Sequence, residues 1–163
     1  MTPSKSRRRR RRRKRKNRQR QLERLRARLE QGPFRGEKLV IVESSGQVKM
    51  SEVLSDFVEP YLDLADTEEA YRKLLTLAVV AWNVSFLPED EQQDMIDQVI
   101  GAGVPTGDDE LKSGLKWFVN MLIARKRAYF PGYTRRIIDF ELTDTGEAYH
   151  LAVASTIEEE EPS

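Results

Sequence analysis

Leu74 to Leu87 reads LLTLAVVAWNVSFL, and this stretch decides the fold. Its fourteen residues, interrupted by Asn83 and Ser85, fall short of the roughly 20 apolar residues that a membrane-spanning helix needs. From Leu74 to Trp82 the run is apolar on nearly every face, which predicts a helix enclosed by other elements. Thr67 can cap its start, and Glu68 and Glu69 follow where the helix dipole favours acids, so the helix is expected from Thr67 to about Phe86.

Helical patterns flank it on both sides. Upstream, Met50, Val53, Leu54, Phe57, Val58, Tyr61, Leu62 and Ala65 follow the i, i+3, i+4 series, with Ser51 as the expected N-cap and Pro60 as a kink or break. Downstream, Pro88 occupies a first helical position ahead of Glu89, Asp90 and Glu91, and the apolar set Met95, Ile96, Val99 and Ile100 ends at Gly101. The loop GAGVPTG leads to Asp108 or Asp109 as a cap. Leu111, Leu115, Phe118, Val119, Leu122 and Ile123 then mark a long helix that closes near Phe130-Pro131-Gly132. Arg125, Lys126 and Arg127 in its last turns complement the dipole.

The pattern then changes to period two. Ile138, Phe140 and Leu142 alternate with Ile137, Asp139 and Glu141, Asp144-Thr145-Gly146 makes a turn, and Tyr149, Leu151 and Val153 continue the return strand of a β-hairpin. Lys38 to Glu43, KLVIVE, reads as a further strand ending at Ser44-Ser45-Gly46. The fold class is therefore α+β: about four helices, an N-terminal strand and a C-terminal hairpin. Three strands with a helical face suffice for independent stability.

Charge divides the chain unevenly. Residues 1 to 38 hold 18 Lys or Arg against Glu23, Glu30 and Glu37, a net +15, whereas residues 39 to 163 hold 10 basic residues against 24 acids, a net −14. Such asymmetry marks an interaction tail on a globular body. Residues 1–20 carry thirteen Lys or Arg and no acid, so they are expected to be a disordered basic arm when free. In residues 21–37, Leu22, Leu25 and Leu29 alternate with Arg24, Arg26 and Arg28 until Gly32-Pro33, a short basic helix too brief to be secure alone. Residues 38–157 make the α+β domain, and 158–163 an acidic tail.

The chain has no cysteine and one histidine, His150. Disulfides, thiolate chemistry and multi-histidine metal sites within one chain are thereby excluded. No apolar segment of a secretory signal follows the basic run, so a cytoplasmic location is expected, associated with nucleoid or ribosome, or nuclear in a eukaryote. Asp139 and Glu141 share one strand face, with Asp144 and Glu147 in the turn, an arrangement that could hold a divalent cation. That face is the polar one of an alternating strand and is expected to meet solvent. His150 could act as a general base beside these acids, but no nucleophile accompanies it. The loop GAGVPTGDD follows a helix and lacks the lysine of a phosphate loop. Trp82 and Trp117 could line a pocket, though both are expected in the core. No catalytic, metal or cofactor residue is assigned.

The cations remain. Arg7, Arg8, Arg9, Arg10, Arg11, Arg12, Arg13, Lys14, Arg15, Lys16, Arg18, Arg20, Arg24 and Arg28 are the expected nucleic-acid-binding residues, contacting the phosphate backbone without sequence preference. RNA is favoured over DNA because arginine-rich segments fold on RNA. The expected function is that of a non-enzymatic accessory protein, with the acidic body as an interaction module for a protein partner and no membrane contact. The alternative is an adaptor whose arm tunes solubility or self-association; a small metal-dependent hydrolase ranks below both.

Overall fold

A computed structural model describes residues 5–31, 39–40 and 49–156 apart from 145 and 147; the side chains at 5, 17, 18, 29–31, 39 and 40 are outside the description. The expected turn at residues 44–46, the helix stop at Gly32-Pro33, Glu147 and the acidic tail lie outside the described residues. The protein is mostly helical with a C-terminal antiparallel hairpin. The elements are α1 (Lys5–Gln31), β1 (Leu39–Val40), α2 (Met50–Val58), a 3-10 helix (Glu59–Leu64), α3 (Glu68–Val84), α4 (Glu89–Gly103), α5 (Asp109–Tyr129), β2 (Ile137–Asp144) and β3 (Tyr149–Thr156). They fall into two compact units, one drawn from Met1–Ser51 and Ile138–Ile157, the other centred on Glu52–Ile137.

In the helical unit, α3 packs against α4 and α5, and α4 against α5. Between Leu74 and Val84 of α3 only Thr76 is exposed, in keeping with a central helix. The Thr67 hydroxyl accepts from the Ala70 amide at 3.1 Å and caps α3, and an Asp108 carboxylate oxygen accepts from the Leu111 amide at 3.2 Å and caps α5. α2 begins at Met50, one residue before the expected cap, and so includes Ser51 in its first turn.

Pro60 converts the end of α2 into a 3-10 helix, because it has no N–H to donate to the carbonyl four residues back. That carbonyl, on Asp56, accepts instead from Arg125 Nη2 at 3.1 Å, and the Phe57 carbonyl accepts from Arg125 Nε at 3.0 Å. A side chain of α5 thus satisfies carbonyls that the proline leaves open.

The polar groups in the apolar stretch have a related role. Trp82 Nε1 donates to the Arg135 carbonyl at 2.8 Å, Asn83 Nδ2 donates to the Ile137 carbonyl at 2.6 Å, and Asn83 Oδ1 accepts from the Ile137 amide at 2.9 Å. Asn83 therefore holds both sides of one residue's backbone and fixes the segment entering β2. Ser85 acts locally, donating to the Trp82 carbonyl.

Lys126 departs most from its expected role at the helix end. It is buried, and its ammonium donates to the carbonyls of Phe130 at 3.0 Å and Tyr133 at 2.9 Å, lying 4.7 Å from the Trp82 ring centroid and 4.8 Å from that of Phe86. Desolvation by burial lowers its pKa from the ordinary lysine value, while the carbonyls and ring faces stabilise the cation. Phe57, Trp82, Phe130 and Tyr133 surround the same place with tilted and edge-on ring contacts. Trp117, expected in the core, is 67% exposed, whereas Trp82 is fully buried.

Lys126→Met keeps the apolar stem and removes the donor from two carbonyls. We expect a loss of about 1–3 kcal/mol in urea unfolding, from two part-buried acceptors losing their donor. Lys73→Met, at an exposed i, i+4 pair with Glu69, should change stability by less than about 0.5 kcal/mol. Equal effects of the two substitutions would show that Lys126 is not a pin.

Candidate nucleic-acid interface

The other unit brings α1 onto the hairpin. Residues 5–31 form one continuous 27-residue helix; of the arm 1–20 expected to be disordered when free, residues 1–4 lie outside the described residues. Residues 7–20 contain no Gly, Pro or β-branched residue, and Arg, Lys and Gln are all good helix formers. Repulsion between cations opposes the helix, and the anchoring of its C-terminal half works against that repulsion.

The anchor is made by residues spaced i, i+4, i+7 on α1. Gln21 is buried, and its amide nitrogen donates to the Glu141 carbonyl on β2 and the His150 carbonyl on β3, each at 2.8 Å, bridging the two strands. Leu25 is fully buried against Ala152 and Ala154, with Leu22 and Ile138 packed around them. The small residues of β3 are what allow the helix to approach. Arg28 closes the contact: Nε donates to Asp139 Oδ2 at 2.8 Å, Nη1 to Glu141 Oε2 at 2.5 Å and Nη2 to the Phe140 carbonyl at 2.7 Å. Arg24 Nε lies 3.5 Å from Glu141 Oε1. Burial lowers the Arg28 pKa, but hydrogen bonds and charge from Asp139 and Glu141 outweigh it and raise the net value.

The sheet has the order β1-β3-β2, and β1 pairs antiparallel with β3 through Leu39 opposite Thr156 and Val40 opposite Ser155. Of the strand expected over Lys38–Glu43, only Leu39 and Val40 are described. In the turn, Gly146 has φ of 82° and its amide donates to Asp144 Oδ1 at 2.7 Å, a backbone conformation that favours glycine.

Residues singled out in the sequence take definite places here. On the Asp139 and Glu141 face, expected to meet solvent, Glu141 is buried while Asp139 stays partly exposed, and both carboxylates pair with Arg28. These acids are therefore engaged as a helix clamp. His150 is exposed on β3, and its carbonyl is what Gln21 uses. Arg24 and Arg28, expected on nucleic acid, have their guanidinium groups turned to the hairpin acids.

The remaining expected residues stay on the surface. Arg7 to Arg13, Lys14, Arg15, Lys16 and Arg20 are all exposed on α1, and the Arg18 side chain lies outside the described residues. The expected residues thus differ in their pairing: Arg24 and Arg28 meet hairpin acids while their side chains stay 56% and 44% exposed, and Arg7 to Lys16 and Arg20 are exposed along the rest of α1. Among the described residues no group of three or more His, Asp or Glu could hold a metal ion, and no helix is long and apolar enough to cross a membrane.

Gln21→Ala leaves one buried and one part-buried carbonyl without this donor and should cost about 1–3 kcal/mol, read by thermal unfolding followed through α1 helicity. Arg28→Gln should likewise lower the melting temperature, and if its guanidinium is committed to Asp139 and Glu141, nucleic-acid affinity should stay within about twofold. A large loss of affinity with unchanged melting would return Arg28 to the binding surface. Comparison with protein-family models, with curated proteins and with solved structures finds no match.

Proposed function

We propose that this chain is a non-enzymatic accessory protein that holds the phosphate backbone of nucleic acid through the Arg7–Arg20 part of α1. The observation that carries this reading is the exposure of ten consecutive cations, Arg7 to Lys16, on a helix whose other end is tied to the protein's own acids. Phosphate binding relieves the repulsion among these cations and releases condensed counterions. Arginine adds a planar fork that matches phosphate oxygens.

The body serves as the interaction module in this reading. Met95 and Val99, four residues apart on α4, are each exposed by more than a third and lie among Asp94, Asp97 and Glu91. An apolar stripe with acidic neighbours suits a protein partner of basic character. An adaptor reading would give this stripe the main role and the arm a supporting one.

The test is a salt series on the full-length chain. The logarithm of the affinity should fall linearly with the logarithm of salt concentration. Replacing Arg7, Arg9, Arg11 and Arg13 with Gln should reduce that slope by about 3–4, since each phosphate no longer neutralised removes about 0.7–0.9. Unchanged slope and affinity would remove the arm from the function and favour the adaptor.

A further inference from the structure

We infer that the exposed half of α1 is built to lie in the major groove of B-form double-stranded DNA, an inference that rests on the nucleic-acid reading above and specifies its ligand. Three properties of the helix lead there.

The first is charge density. Consecutive cations on a helix are spaced by its rise of about 1.5 Å per residue, and Arg7 to Lys16 is such a series. A DNA duplex presents one negative charge per about 1.7 Å of axis, while one strand alone presents one per about 3.4 Å. The helix is therefore matched to a duplex and carries about twice the charge density of an extended single strand.

The second is angular distribution. Successive residues are turned by about 100°, so ten consecutive cations point to every side of α1. A flat anionic surface would meet only one side of them. A groove places phosphates along both walls and base-edge acceptors on its floor, and so meets cations on several faces at once. The helix also has no apolar residue from Ser6 to Arg20, which removes the buried face that a membrane-surface helix needs. No aromatic residue occurs in residues 1–33, which removes the stacking platform of single-strand binders.

The third is fit and rigidity. An α-helix with side chains is about 10–12 Å across, and the B-form major groove is about 12 Å wide, whereas the A-form major groove of RNA is narrow and deep. The expectation that RNA is favoured rested on a segment that folds when it binds. The clamp at Gln21, Leu25 and Arg28 instead holds the helix in place before any ligand arrives, so less ordering cost falls on binding.

Anisotropy titrations of the full-length chain against a B-form DNA duplex, one of its strands alone and an A-form RNA duplex of the same length separate the possibilities. The DNA duplex should bind tighter than either by about tenfold or more, a difference of about 1.4 kcal/mol. A second variant keeps every charge: Gln19→Pro interrupts α1 between the cations and the clamp, leaving an N-terminal piece too short and too self-repelling to stay helical. It should lower DNA-duplex affinity about tenfold and leave single-strand affinity within about twofold. Equal or tighter binding of the single strand or of the RNA duplex would overturn the groove assignment and leave backbone binding standing. Absence of salt-dependent binding to all three would overturn the nucleic-acid reading itself.

Discussion

The guanidinium of Arg28, held among Asp139, Glu141 and the Phe140 carbonyl, is the interaction on which the arrangement of the cationic helix depends. A run of adjacent cations cannot hold itself in a helix without an external source of order. Here the order comes from the last turns, where Gln21 bridges two strands, Leu25 seats on alanines and Arg28 meets opposite charge. Helix propagation from an ordered turn is far less costly than nucleation, so the anchored end supports the exposed end. The near balance between an N-terminal charge of +15 and a remainder of −14 has a local counterpart in this clamp. Two of the acids hold the arm, and the ten consecutive cations remain on the surface.

The helical unit follows a parallel rule: each polar group placed in apolar surroundings binds backbone that would otherwise lack a partner. Arg125 serves the carbonyls at the end of α2, Asn83 serves both sides of Ile137, and Lys126 serves the turn after α5. These pairings tie the turn after α5 and the approach to β2 to the helices. Buried donors without acceptors are costly, so such pairings specify one arrangement as well as stabilising it.

Local chemistry was readable from the residues. Thr67 and Asp108 cap the helices they precede, Pro60 ends α2, and Asp144 accepts from the Gly146 amide between the hairpin strands, because each acts on backbone within a few residues. Long-range partners were not readable. Alternation placed Asp139 and Glu141 on one face of β2, but periodicity identifies a face without saying what covers it, and the covering residue lies more than a hundred positions away. For Lys126 the pattern gives only a cation completing a helix dipole, since nothing local announces the carbonyls and rings around it. Trp117 shows the converse, an aromatic residue expected in the core that stays exposed. The cationic site was visible as composition, while the pairing of Arg24 and Arg28 with hairpin acids required the fold.

The central claim is that α1 is anchored on the hairpin in the free protein. Backbone chemical shifts and amide exchange along residues 5–31 of the full-length chain, with no nucleic acid present, test it most directly. The account predicts helical shifts throughout, with protection strongest from Gln21 to Arg28 and declining toward Lys5. Random-coil shifts and unprotected amides from Gln21 to Arg28 would contradict it.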